Sequence, residues 1–123
     1  MLKHKFLLPE GILILEPDKP LEVADFEAIT KEIDPYIAKH GMLPGLLIHA
    51  KAFPGWANFA AFYAHMGLVE SHQQKLQRLA LVTDSRFLVE LPKFAGHLVQ
   101  TEIKHFPQSQ YDEALRWLER QPR

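Results

Sequence analysis

The chain's seven histidines, His4, His40, His49, His65, His72, His97 and His105, are the side chains whose type most invites chemistry. No two stand four residues apart, the spacing that sets two imidazoles over one metal ion on a helix. His65 and His72 would lie about 10 Å apart by helical rise, too far to share an ion without a third element. The expected roles are therefore ordinary surface or rim positions, with no metal site and no cofactor. Thr83-Asp84-Ser85 follows an apolar strand, where open α/β sheets place their ligands. Asp and Ser are also favoured helix N-caps, because their oxygens accept the orphan amide protons of a first turn. No histidine lies locally to activate Ser85, and no nucleophile elbow, phosphate-binding loop or dinucleotide fingerprint occurs. Cysteine is absent, which excludes disulfides, thiolate metal sites and cysteine nucleophiles. No catalytic residue is expected, and the chain reads as a non-enzyme.

The elements that must position these residues follow from hydrophobic period. Phe6–Leu8 and Ile12–Leu15 are short apolar runs around Pro9-Glu10-Gly11, which predicts a hairpin. From Val23 to His40 the period lengthens: Val23, Phe26, Ile29, Ile33, Tyr36 and Ile37 share one face, and Asp25, Glu27, Lys31, Glu32 and Lys39 lie mostly on the other. This predicts an amphipathic helix kinked at Pro35 and closed by Gly41. After Pro44-Gly45, the run from Leu46 to Phe53 reads as a strand buried on both faces. A helix from Trp56 to about His72 follows, then a strand at Leu79–Val82 and a helix opened by Thr83-Asp84-Ser85 and running through Leu98. Glu102–Phe106 is the last strand. Tyr111–Arg120 is the last helix, with Tyr111, Ala114, Leu115 and Leu118 inward. Strands alternating with helices imply crossovers, hence an α/β fold. The expected architecture is a mixed, mainly parallel sheet of about five strands flanked by four helices.

Composition bounds the function. A chain of 123 residues fits one domain, residues 1–123, with 47% hydrophobic and 24% charged side chains. A formal net charge of -1 lacks the basic field that a nucleic-acid binder needs to neutralise phosphates. The N-terminus lacks the apolar core and cleavage site of a signal peptide. The longest mostly apolar stretch, Ala57–Val69, is too short to span a bilayer. The expected location is the cytoplasm, free or peripheral to the membrane.

The most informative feature is an apolar excess on two consecutive helices. Trp56, Phe59, Ala60, Tyr63, Met66 and Gly67 make one face of the first, enough to cover a sheet. Phe62 and Val69 fall off that face, and Ala57, Ala61 and Ala64 leave it almost no polar side. In the second, Phe87, Leu88, Leu91 and Leu98 can face the sheet, while Val89, Phe94, Ala95 and Val99 remain; Pro92 bends it. A helix apolar nearly all round is buried on two sides or covered by something else. Three readings follow: the helices pack on each other, they pack on a second copy of the chain, or they border a pocket or membrane-facing patch. On the third reading Trp56, Phe59, Phe62, Tyr63, Met66, Val69, Phe87, Leu91 and Phe94 bind an apolar small molecule or a lipid surface. Lys75, Arg78, Arg86 and Lys93 would then suit an anionic headgroup.

An ordered set of segments carries a family resemblance across nearly the whole chain. Phe53-Pro54-Gly55-Trp56 after an apolar strand, Leu79-Ala80-Leu81-Val82-Thr83-Asp84, Ile103-Lys104-His105-Phe106-Pro107 and Tyr111-Asp112-Glu113-Ala114-Leu115-Arg116-Trp117-Leu118 together resemble the SpoIIAA-like bacterial family within the STAS-like folds. The resemblance implies a mixed sheet flanked by helices and no enzymatic activity. It implies regulatory protein contacts, or binding of an apolar ligand or membrane. The anti-sigma-factor antagonists of that group carry a phosphorylatable serine where the helix after the third strand begins. Here that stretch is Pro54-Gly55-Trp56-Ala57-Asn58, without a hydroxyl, so the phosphoswitch is not carried over. The leading expectation is a non-enzymatic module that binds a hydrophobic ligand or membrane through apolar helices 56–70 and 85–99. The alternative is a protein–protein regulatory module that acts as a homodimer.

Overall fold

A computed structural model of the chain describes residues 3–8, 10–51, 76–84 and 102–119. Strands β1 (Lys3–Leu7) and β2 (Ile12–Glu16) form the expected antiparallel hairpin, with Leu7 opposite Ile12 and Lys3 opposite Glu16. The Gly11 amide closes the turn by donating to the Leu7 carbonyl at 2.9 Å. Gly11 has φ of 76°, a conformation that side chains with a Cβ disfavour. A Cβ there would also stand 2.6 Å from Cζ of Tyr36 and 2.9 Å from Cδ of Pro44. The turn, the first helix and the third strand thus meet where only glycine fits.

Helix α1 spans Val23–His40, as the periodicity predicts, and continues through Pro35. The Gly41 amide closes it by donating to the Ile37 carbonyl at 2.7 Å. Asp25 departs from expectation: it is only 4% exposed rather than on the polar side. Its Oδ2 accepts the Glu22 amide at 2.9 Å, half of a capping box that folds the carboxylate back over the helix start.

Strand β3 is Leu43–His49, displaced from the Leu46–Phe53 expected. Pro44 and Gly45 lie inside it, because pairing with β2 begins only at Gly45 and so needs no amide from Pro44. Strand β4 is Leu76–Val82, three residues longer at its start, since Leu76 pairs with Leu43. Strand β5 is Glu102–Phe106 as expected. A 3-10 turn at Gln108–Gln110 leads into helix α2, Tyr111–Glu119.

The five strands lie in the order β1-β2-β3-β4-β5, antiparallel at the first pair and parallel thereafter. This is the mixed, mainly parallel sheet that alternating strands and helices imply. Two of the four expected helices are described; those expected at 56–72 and 85–98 lie outside the described residues.

The core forms on both faces of the sheet. Phe26, Ile29, Ile33 and Ile37 of α1 pack on Leu13, Leu21 and Leu43. Ala114 and Leu118 of α2 pack on Ile12, Ile14, Leu47, Ala80, Val82 and Phe106. Leu13 alternates with Ile12 and Ile14 along β2, so α1 and α2 occupy opposite faces. A third, smaller cluster joins Ala50 and Leu81 with half-buried Ile48 and Leu79. Leu79 and Leu81 alternate with Ala80 and Val82, so this cluster lies on the α1 side. Ile103, the register partner of Leu79, shares that side.

Candidate functional site

The carboxyl ends of the parallel strands, where α/β sheets bind ligands, hold a group of polar contacts between β4, β5 and the turn that follows. At the end of β4, Thr83 is fully buried and donates its amide to the Phe106 carbonyl at 3.0 Å. The Thr83 carbonyl lies 2.7 Å from His105 Nε2. A carbonyl oxygen can only accept, so Nε2 carries the proton. Asp84 Oδ1 accepts the Gln108 amide at 3.1 Å. The expected capping role of Asp84 therefore has a cross-strand counterpart: its carboxylate ties the end of β4 to the turn after β5. Ser85 lies outside the described residues.

A second group gathers at the ends of β2 and β3. The ring of His49 sits 5.0 Å from that of Tyr111 at the start of α2. Burial, then the charges of Glu16 and Asp112, push the Tyr111 phenol above its ordinary value of 10.0. The phenol is thus held protonated and does not offer an acid near neutrality. The other described histidines are rim residues. His40 stacks 4.2 Å from Tyr36, and both His4 and His105 are exposed. No group of three or more histidine, aspartate or glutamate side chains able to hold a metal occurs among the described residues.

Arg78 requires a correction. As an anionic-headgroup cation it would have to be open to solvent, but its side chain is only 17% exposed. It donates from Nη1 to the Trp117 carbonyl at 2.7 Å, stacks 4.8 Å from the Trp117 ring centroid, and pairs through Nε with Glu102 at 3.3 Å. Its work is to hold the end of α2 against the sheet, satisfying a carbonyl that the last helical turn leaves unpaired. Lys75, Arg86 and Lys93 lie outside the described residues. So do all nine expected apolar site residues: Trp56, Phe59, Phe62, Tyr63, Met66, Val69, Phe87, Leu91 and Phe94. The contacts of Asp84, His105 and Arg78 were not legible in the sequence, because each joins residues brought together only by strand pairing.

The strand order, the single antiparallel edge and helices on both faces define an α/β protein of the SpoIIAA-like fold. The SpoIIAA-like family model matches residues 12–119, from the first residue of β2 to the last of α2. The chain belongs to the SpoIIAA-like family. Among solved structures it is similar to an uncharacterised protein with a SpoIIAA-like fold from Shewanella loihica PV-4. That likeness has a TM-score of 0.71 at 19% identity and covers 96% of this chain and 92% of the other. At that identity it shows a shared fold alone. No curated protein matches the chain. No helix among the described residues is long and apolar enough to cross a membrane.

Proposed function

We propose that the chain is a non-enzymatic regulatory module that binds an apolar small molecule or a lipid surface through residues 56–70 and 85–99. Family membership supports a regulatory or interaction module. The finer reading rests on one observation, a surplus of apolar side chains over the sheet surface available to cover them. On the α1 side, beyond the cluster under α1, β3–β5 offer Ile48, Ala50, Leu79, Leu81 and Ile103. The two segments carry Trp56, Phe59, Phe62, Tyr63, Met66, Val69, Phe87, Leu91 and Phe94, with further leucines, valines and alanines between. These side chains outnumber the five apolar residues offered there, and contiguous apolar surplus is what ligand pockets and interaction patches are made of.

Phe62→Ser and Phe94→Ser, made singly, test this. Side chains that line an open site should shift stability by no more than about 0.5 kcal/mol. The same changes should abolish binding of a fluorescent apolar probe or of liposomes. If both variants lose about 3–5 kcal/mol, as core phenylalanines do on truncation, and the parent binds neither probe nor vesicle, the proposal fails. Loss of a dimer in sedimentation, with probe binding intact, would favour instead a regulatory homodimer built on the same side chains.

A further inference from the structure

We infer that the edge of strand β1 is a docking site for an extended acidic segment of a partner protein, which adds to the sheet as a further strand. The site is built from residues 3–8 and uses neither of the apolar segments proposed above. Strand β1 ends the sheet order and pairs, among the described residues, with β2 alone. One side of its backbone thus offers amides and carbonyls that an added strand can bond. Phe6 packs on the α1 side and Leu7 on the α2 side, so by alternation Lys3 and Lys5 share the α2 side with Leu7. Both lysines are exposed. Lys5 stands opposite the apolar Ile14 and has no ion pair among the described residues. Lys3 stands opposite Glu16 and reaches Asp18 at 3.5 Å, with both side chains open to water, so that pair is weak and readily exchanged. Leu8, directly after the strand, is 62% exposed, a large apolar side chain left open. Along the edge, two cations about 7 Å apart on one face are therefore followed by an open leucine.

That order selects the occupant. A second β1 laid antiparallel about His4 would set Lys3 against Lys5 and Lys5 against Lys3, and like charges directly opposite destabilise a strand pair. The β5 edge of a second copy brings Glu102 and Lys104 on one face, one attractive and one repulsive. A segment with carboxylates at alternate positions meets both lysines, and an apolar residue at its end covers Leu8. Edge lysines deter self-pairing, and the same two lysines make an acidic strand the complementary neighbour.

Calorimetric titration of the full chain with short capped peptides tests the site. One peptide alternates valine with glutamate, a second alternates valine with lysine, and a third is the first with its backbone amides methylated. The glutamate peptide should bind; the lysine peptide and the methylated peptide should not. Lys3→Glu with Lys5→Glu should weaken the glutamate peptide roughly tenfold and admit the lysine peptide. Both positions are exposed, so the thermal midpoint of the variant should match that of the parent. Should it fall, Lys5→Gln makes the same comparison with a smaller loss, roughly threefold. No binding of the glutamate peptide, or binding that charge reversal leaves unchanged, would overturn the site. Equal binding of the methylated peptide would overturn strand addition and reduce the contact to surface charge. A parent dimer in sedimentation, with β1 amides protected from exchange, would overturn the acidic partner in favour of a second copy. Retention on phosphatidylserine vesicles with no peptide bound would overturn it in favour of a lipid surface.

Discussion

Tyr111, at the start of α2 beside His49, shows how the placement of a single residue becomes measurable. Its phenol is held protonated by burial and by the neighbouring charges of Glu16 and Asp112. The folded pKa is raised above that of the unfolded chain, so Tyr111 favours folding fully below the unfolded value, near 10.0, and this contribution is lost as pH climbs through the folded value. Denaturant titrations from about pH 9 to about pH 11 should show stability falling more steeply in the parent than in Tyr111→Phe. Identical slopes would show that the phenol is not desolvated against the sheet end. Asp25 and Arg78 make the same point without titration. Both are charged side chains drawn inward to satisfy backbone groups at helix ends, one at the start of α1 and one at the end of α2.

At the scale of elements, the β1–β2 hairpin is set by one turn that must also accommodate α1. Gly11 meets two demands at once, a positive φ and an approach to Tyr36 and Pro44 that leaves no room for a methyl group. Gly11→Ala is expected to cost about 1–3 kcal/mol from backbone strain, with the steric clash added to it. Chemical denaturation gives the measurement: a lowered midpoint with an unchanged slope is expected. A loss below about 0.5 kcal/mol, typical of an unconstrained surface site, would mean that the hairpin turn relaxes freely away from α1. The end of α2 is held differently, by the Arg78 guanidinium over Trp117 and by Leu118 packed beneath it, only 1% exposed. Apolar burial supplies the energy there, and the cation supplies the orientation.

At the scale of the whole molecule, stability comes from one sheet with an apolar layer on each face, and nothing among the described residues couples that core to a metal. A chelator should therefore leave the thermal midpoint where it is, since no ligand set among the described residues links folding to an ion. A fall of several degrees on chelation would reveal histidines assembled from distant parts of the chain. The same two-faced sheet gives the chain its asymmetry. The α2 face is closed by a helix anchored through Arg78, Trp117 and Leu118, whereas the α1 face divides into two apolar clusters.

The sequence by itself determined the order and kind of the described elements. Helix α1 and strand β5 were readable to their ends, because a 3.6-residue or two-residue hydrophobic period is a local property that long elements carry in full. The hairpin and the parallel pairing followed from turn residues and from alternation. Tertiary structure alone decided where β3 and β4 begin, since a strand extends as far as its neighbour offers backbone to pair with, whatever its local composition. It alone drew Asp25 inward, and it bound Arg78 to a carbonyl 39 residues away. It alone set His105 and Asp84 across from their backbone partners. Such contacts depend on which strands of the chain come to lie side by side, and periodicity within a strand does not name its neighbour.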